Sequence, residues 1–131
     1  MESQGYVHVN YVHPTAVVHA PSAWGGNVIV FPFATVGYGG VIGDDTVLRE
    51  KVYLGHDHRV GSHVFVGVGA TVGGACTIGD GAYIAMESTL TNDLTVGEGA
   101  FIGIGGLLLT DAEPSTRYYG HPARPAARGA E

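Results

Sequence analysis

Basic residues are scarce in this sequence, and several kinds of segment are missing from it. Lys and Arg together number six among 131 residues, and the formal net charge is −6. Because a protein that binds nucleic acid needs clustered cations to displace counterions from phosphates, we exclude nucleic acid as a partner. No basic amphipathic segment suits a membrane surface, so no membrane is expected either. Residues 1–10 lack the positive and apolar regions of a signal peptide, and we predict a cytoplasmic protein.

The period of the apolar pattern is six, which neither a helix nor an ordinary strand has. Large apolar residues recur every six positions from residue 12 to residue 108 without a missing member, and Gly often follows them. Small residues prevail four positions after each member. The members of the series are Val12, Val18, Trp24, Val30, Val36, Ile42, Leu48, Leu54, Val60, Val66, Val72, Ile78, Ile84, Leu90, Val96, Ile102 and Leu108.

Such a six-residue unit is typical of a parallel β-helix, in which each repeat supplies one short strand and one turn. Three sides close a triangular coil of eighteen residues, so residues eighteen apart stack about 4.8 Å from one another. The small position lies near a corner, where a large side chain would find little room. The sequence therefore predicts an all-β protein with the shape of a triangular prism.

One domain over residues 1–131 is expected, because the chain is short and the series is unbroken. Residues 1–11 form a lead-in, 12–109 make between five and six coils, and 110–131 are a short C-terminal tail rich in Pro, Ala and Arg. The only cysteine, Cys76, occupies a small inward position. That position predicts a buried packing thiol rather than a nucleophile.

Three features together resemble a known family: the hexapeptide series, the segment Gly55-His56-Asp57 within it, and the closing Gly120-His121-Pro122-Ala123-Arg124. They look like the left-handed parallel β-helix acyltransferases. The resemblance points in particular to the sialic acid O-acetyltransferase and nucleotide-linked amino-sugar N-acetyltransferase branch. It implies a homotrimer that binds acetyl-CoA, as acyl donor, in the groove between adjacent prisms.

His56 and Asp57 are the candidate catalytic residues. Acyl transfer from a thioester to an amine or hydroxyl requires removal of a proton from the acceptor, for which a neutral imidazole is suited. In the related enzymes the histidine of this motif is the general base, which the resemblance carries to His56. Asp57 would orient the ring and stabilise the imidazolium. Adjacent side chains of a strand face apart, so this role depends on the geometry of the turn.

The resemblance also implies a set of residues around the acyl-CoA. Gly74 lies eighteen residues after His56, hence one coil along on the same edge, and its backbone N–H would meet the acyl carbonyl oxygen. Met86 and Ile104 are expected to line the pantetheine groove on another edge. Arg124 is expected to meet a CoA phosphate, since a guanidinium suits that geometry.

The departures from the family pattern concern the acceptor. Where the branch commonly has Asn seven residues before the base, this chain has Arg49, which could pair with a phosphate or carboxylate. His63 stands on a turn near the predicted site and is a second candidate contact. The acceptor is expected to be a small polar amine or alcohol, with an amino sugar as the first choice by resemblance alone.

Two alternatives to the acyltransferase stay open. The first is a structural or scaffolding trimer with a degenerate site. The second is a metalloenzyme like the γ-class carbonic anhydrases, which share this fold and bind zinc through three histidines. One of those positions corresponds to His56, but the other two would be Gly61 and Ala20, which cannot ligate. We therefore expect no metal.

Overall fold

The computed structural model describes residues 9–126, which fold into a three-sided parallel β-helix. Nineteen short strands, β1 to β19 in chain order, form three sheets. Sheet A contains β1 (Tyr11–Val12), β4 (Ile29–Val30), β7 (Val47–Leu48), β10 (Phe65–Val66), β13 (Tyr83–Ile84), β16 (Phe101–Ile102), β18 (Arg117–Gly120) and β19 (Ala123–Pro125). Sheet B contains β2 (Val17–Val18), β5 (Thr35–Val36), β8 (Tyr53–Leu54), β11 (Thr71–Val72), β14 (Thr89–Leu90) and β17 (Leu107–Leu108). Sheet C contains β3 (Ser22–Trp24), β6 (Gly40–Ile42), β9 (Arg59–Val60), β12 (Thr77–Ile78) and β15 (Thr95–Val96).

The register of the sheets follows the eighteen-residue coil predicted from the sequence. Phe65 pairs with Tyr83 in sheet A, and Thr71 pairs with Thr89 in sheet B. The predicted all-β prism of hexapeptide repeats is confirmed. No helix occurs within residues 9–126, and so none there could cross a membrane.

The core consists of the apolar series stacked along the prism axis. From Val30 onward every member of the series is buried, whereas Val12 and Val18 in the first coil are 38% and 37% exposed. The members stack because residues eighteen apart are paired, and the burial of these side chains stabilises the coil by removing apolar area from water. The first two members are more exposed because no described coil precedes them.

The sheet continues into the segment predicted as a tail. β18 pairs in parallel with β16, and Tyr118 is buried at 4% exposure over the end of the core. Phe101 is opposite Arg117, a spacing of sixteen rather than eighteen residues, which is why the period-six series misses this strand. β19 then pairs antiparallel with β18. Coil-like structure therefore extends beyond residue 109.

Three edges join the three sheets, and each carries a different set of side chains. The Met86 edge, between sheets A and B, includes residues 49–52, 85–88 and 103–106. The His56 edge, between sheets B and C, includes residues 37–39, 55–58, 73–76 and 91–94. The Asp44 edge, between sheets C and A, includes residues 25–28, 43–46, 61–64 and 79–82. Positions on one edge that are eighteen residues apart stack in successive coils.

Candidate active site

His56 and Asp57 form a hydrogen-bonded pair on the His56 edge. Asp57 takes a positive φ of 55°, which turns its carboxylate back toward the preceding side chain. Aspartate tolerates this left-handed conformation better than most residues. His56 Nδ1 lies 2.9 Å from Asp57 Oδ2, and both side chains are about half exposed. The turn thus supplies the geometry that the predicted pairing needs.

The pairing determines which nitrogen of the neutral His56 ring can accept a proton. An ionised carboxylate only accepts hydrogen bonds, so Nδ1 carries the hydrogen that is donated to Asp57. Nε2 then holds the free lone pair. The ring of Tyr38, one coil earlier, stacks on the imidazole with 5.7 Å between the ring centroids and 18° between the planes. Asp57 and Tyr38 together restrict the orientation of the ring.

The imidazole of His56 occupies the space that a side chain at Gly74 would fill. A Cβ built on Gly74 would lie 2.5 Å from His56 Nε2 and 2.8 Å from Cε1. Any side chain at this position would displace the imidazole. Because Gly74 has no side chain, the imidazole lies directly over its main chain, and Gly74 is buried beneath the ring.

Within residues 9–126, the backbone N–H of Gly74 already donates a hydrogen bond. It donates a hydrogen bond of 2.9 Å to Oδ1 of Asn92, which lies one coil further along the same edge. The predicted oxyanion donor is therefore engaged by a side chain. Asn92 itself is exposed, and its Oδ1 would also meet a Cβ built on Gly73.

Two buried side chains lie beneath this edge. His58 is fully buried, and its Nδ1 is 2.7 Å from the carbonyl oxygen of Gly55, the residue that precedes His56. Burial lowers the pKa of His58 from its ordinary value, because the charged form would lose its hydration. Cys76 is fully buried as predicted, and burial raises the pKa of its thiol. These two groups support the corner from inside the prism.

The remaining predicted site residues lie away from His56 within one chain. Met86 and Ile104 project from the Met86 edge with exposures of 46% and 72%. Arg124 belongs to β19, opposite Tyr119. Their predicted contacts with CoA remain predictions.

The two predicted acceptor contacts are also separated from the base. Arg49 is on the Met86 edge, where its Nε donates to Glu50 at 3.0 Å and its guanidinium lies 4.4 Å from the ring centroid of Phe31. The hydrogen bond from Arg49 lowers the pKa of Glu50. His63 is on the Asp44 edge, 3.6 Å from Asp45. The structure brings neither residue to His56 within one chain, and their roles remain predictions.

Tyr38 and Asn92 are the site residues that sequence reasoning missed. A cavity of about 280 Å³ adjoins the base on the side of the earlier coils, and Tyr38 is one of its walls. The eighteen-residue stacking rule places both residues on the edge of His56, so this signal could have found them. The cavity is lined by His19, Thr35, Gly37, Tyr38, Tyr53 and His56.

Metal ligands are not clustered in the part of the chain that the structure describes. Residues 9–126 contain no group of three or more His, Cys, Asp or Glu side chains arranged to hold a metal ion.

Comparison with known proteins gives both a family model and structural neighbours. The model for the bacterial transferase hexapeptide, described as six repeats, matches residues 57–92. No curated protein matches the chain. PerB from Caulobacter crescentus, in complex with CoA and GDP-perosamine, superimposes with a TM-score of 0.92 at 25% identity, over 96% of this chain and 61% of that one.

The chain resembles the hexapeptide-repeat acyltransferases.

A second neighbour supports the same likeness. The acetyltransferase domain of PglB from Neisseria gonorrhoeae has a TM-score of 0.91 at 26% identity, over 93% of this chain and 60% of that one. A further structure of that domain contains acetyl coenzyme A. This chain spans about three fifths of the length of both neighbours. The resemblance predicted from the sequence is confirmed, and a further neighbour, a mutant of perosamine N-acetyltransferase from Caulobacter crescentus, agrees with the amino-sugar branch.

Proposed function

We propose that this protein is an acyl-CoA-dependent acyltransferase that moves an acetyl or other short acyl group to an amine or hydroxyl of a small polar acceptor. The observation that carries the proposal is the His56–Asp57 pair at 2.9 Å, with the imidazole packed over Gly74. It supplies a base of the required type, half exposed and beside a cavity of about 280 Å³. The complexes of PerB with CoA and of the PglB domain with acetyl coenzyme A support the choice of acyl donor.

In the proposed reaction, the acceptor nitrogen or oxygen attacks the thioester carbonyl carbon. His56 Nε2 takes the proton of the acceptor as the new bond forms, and the carbonyl π electrons move onto its oxygen. The tetrahedral intermediate then collapses, the carbon–sulfur bond breaks, and the CoA thiolate takes the proton from the imidazolium. Asp57 keeps Nδ1 protonated and stabilises the positive ring throughout.

A homotrimer is part of this proposal, because one chain does not bring together all the residues assigned to CoA. Met86 and Ile104 are on a different edge from His56, so a groove that contains all three requires a neighbouring copy. A partly exposed aromatic ladder on sheet A supports association between copies. Its members are Phe65, Tyr83, Phe101 and Tyr119; the first two pairs stack at centroid distances of 4.8 and 5.2 Å, and the last pair is tilted at 6.0 Å. Arg124, opposite Tyr119, would then reach a CoA phosphate near the end of the groove.

Light scattering on the purified protein tests the assembly. We expect a mass three times the 13.5 kDa of a single chain at micromolar concentration. A monomer under these conditions would contradict a site shared between copies.

The acceptor proposed as first choice is an amino sugar, possibly linked to a nucleotide. The cavity beside His56 has two tyrosine walls, and its lining contains no Lys or Arg. This chemistry suits an uncharged ring better than a phosphate, because tyrosine rings offer apolar faces with polar tips. Arg49 or His63 could then contact only a part of the acceptor outside this cavity. The complex of PerB with GDP-perosamine supports this class of acceptor.

Thiol release from acetyl-CoA, measured with a panel of amino sugars, nucleotide-linked amino sugars, simple amines and alcohols, tests the activity. We expect release that depends on the acceptor, and a product heavier by one acetyl group in mass spectrometry. The absence of release with every acceptor in the panel would contradict the proposal.

A further inference from the structure

The turn one coil before His56 and Asp57 contacts both of these residues. Tyr38 and Gly39 precede them by eighteen positions and lie on the same edge. The Tyr38 ring stacks on the imidazole, and the carbonyl oxygen of Tyr38 accepts a hydrogen bond of 2.8 Å from the N–H of Asp57. Gly39 lies against the carboxylate, because a Cβ built on it would meet Asp57 Oδ1. One dipeptide thus makes three separate contacts with the pair.

The aromatic face of Tyr38, rather than its hydroxyl group, makes the contact with His56. The two ring planes are nearly parallel, at 18°, and their centroids are 5.7 Å apart. Within residues 9–126 the hydroxyl makes no hydrogen bond. The side chain is 54% exposed, so the core does not determine its position. A phenylalanine at this position would therefore make the same contact.

The contact between the rings should strengthen when His56 takes up a proton. In the proposed reaction the imidazole becomes an imidazolium as it receives the proton of the acceptor. An aromatic face attracts a cation that lies within about 6 Å of its centroid. The distance of 5.7 Å satisfies that condition. Tyr38 would therefore stabilise the charged form of the base more than the neutral form.

Gly39 provides the space in which the Asp57 carboxylate lies. Its φ is 80°, a left-handed conformation that glycine adopts readily. Its N–H donates a hydrogen bond of 2.6 Å to the carbonyl oxygen of Pro21, so the preceding coil holds the main chain at this point. A side chain at Gly39 would displace the carboxylate, including the Oδ2 that is paired with Nδ1 of His56.

We propose that Tyr38 and Gly39 are positioning residues for the base of the acyl transfer. Tyr38 fixes the plane of the imidazole and stabilises the imidazolium, and Gly39 admits the carboxylate that orients Nδ1. The inference rests on the proposed acyltransferase function and adds the turn that holds the pair in its reactive geometry. Neither residue exchanges a proton with the substrate.

The first test compares Tyr38→Leu, which removes the aromatic face, with Tyr38→Phe, which keeps it. We expect Tyr38→Leu to lower kcat for thiol release by about 5- to 30-fold at saturating acceptor, the range for a cation–π contact that bound substrate shields from water. Tyr38→Phe should keep the wild-type kcat. The KM for acetyl-CoA should change in neither variant, because the contact strengthens only in the transition state.

The second test combines Gly39→Ala with Asp57→Asn. We expect Gly39→Ala alone to lower kcat by about 100-fold, since a displacement of about 1 Å in a catalytic group costs that much. In a protein that already carries Asp57→Asn, the same substitution should have little further effect. The effects of two residues that act through one interaction are not additive.

Gly81→Ala is the matched control for backbone strain. Gly81 is on the Asp44 edge with a φ of 71°, and a Cβ built on it would meet no atom within 4 Å. This variant carries the cost of a left-handed alanine without the displacement of a side chain. Its kcat should be unchanged. Thermal unfolding of Gly39→Ala and Gly81→Ala measures the loss of stability that the two variants share.

The possible outcomes separate this inference from the proposed function. Equal losses of kcat in Tyr38→Phe and Tyr38→Leu, or a change confined to the KM for the acceptor, would overturn the role of Tyr38. A further loss of about 100-fold from Gly39→Ala in the Asp57→Asn protein would overturn the role of Gly39. An active wild type with unchanged kcat in Tyr38→Leu and Gly39→Ala would overturn the inference alone. A wild type that releases no thiol with any acceptor would overturn the proposed function, and the inference with it.

Discussion

The Asp44 edge and the His56 edge are built from the same repeat. They differ in how regularly a side chain accepts a hydrogen bond from the backbone N–H of the preceding coil. On the Asp44 edge, each coil caps the one before it. Gly26 N–H donates to Asp44 at 2.8 Å, Asp44 N–H to Ser62 Oγ at 3.0 Å, and Ser62 N–H to Asp80 at 2.8 Å. On the His56 edge, the residue one coil after His56 is Gly74. Gly74 has no side chain that could accept a hydrogen bond from the N–H of His56.

This difference indicates where a catalytic site can form in a β-helix. A continuous ladder of caps supplies acceptors for the backbone N–H groups of the Asp44 edge. Where glycine interrupts the ladder at position 74, the imidazole of His56 packs over the main chain instead. The following predictions test whether the two edges differ in this way.

Replacement of the base should have the largest effect. We expect His56→Ala to lower acyl transfer by about 100- to 10,000-fold, the usual contribution of a general base. The side chain is 52% exposed, so assembly and thermal unfolding should change little. Thiol release from acetyl-CoA measures the loss, and His13→Ala, on a different edge, is the control. Unchanged turnover in His56→Ala would contradict the assignment.

A side chain at position 74 should lower activity nearly as much. We expect Gly74→Ala to lower kcat by about 100-fold, because its Cβ would displace the imidazole and a shift of about 1 Å in a catalytic group costs that much. The fold should survive, since the end of an exposed side chain can move aside. Thr71→Ala, on the exposed face of the same coil, is the control. If Gly74→Ala kept full activity, the packing of the imidazole over Gly74 would have no role in the reaction.

Acid should destabilise the His56 edge through the buried His58. Burial lowers the pKa of His58 in the folded protein, so the unfolded chain takes up a proton first as the pH falls below the ordinary value of 6.5. The stability that the neutral ring contributes is present above that pH. It is lost on acidification by up to about 1.4 kcal/mol per pH unit for one group.

Chemical denaturation of the wild type and His58→Leu between pH 8 and pH 5 measures this effect. The variant should be less stable at pH 8, because Gly55 loses its hydrogen-bond donor, but its stability should fall less steeply with pH. Equal slopes for the two proteins would show that His58 is not the group responsible.

Loss of a cap on the Asp44 edge should have the smallest effect. We expect Ser62→Ala to reduce the free energy of unfolding by about 0.5–1.5 kcal/mol, the net value of one hydrogen bond, since the N–H of Asp44 loses its acceptor. Urea denaturation measures this change. Acyl transfer should be unchanged, and a large loss of activity would mean that the Asp44 edge also takes part in catalysis.

Much of the fold could be predicted because the apolar pattern that defines it repeats every six residues. Every buried member of the series lies six residues from the next, and the pairing of Phe65 with Tyr83 follows from three such steps. The strand that holds Tyr118 could not be found in this way. Its spacing of sixteen residues breaks the period, and only the open end of the core explains why it packs there.

The sequence by itself determined the coil, the burial of Cys76 and the stacking of Gly74 on His56, because each depends only on position within a repeat. The tertiary structure determined which side chains at the turns contact each other. The pairing of His56 with Asp57 needs the positive φ of Asp57, and adjacent residues in an extended strand would face apart. The separation of Arg49 and His63 from the base likewise depends on which edge each turn occupies. Nearness along the chain does not imply nearness in space when every sixth residue turns the chain onto another face of the prism.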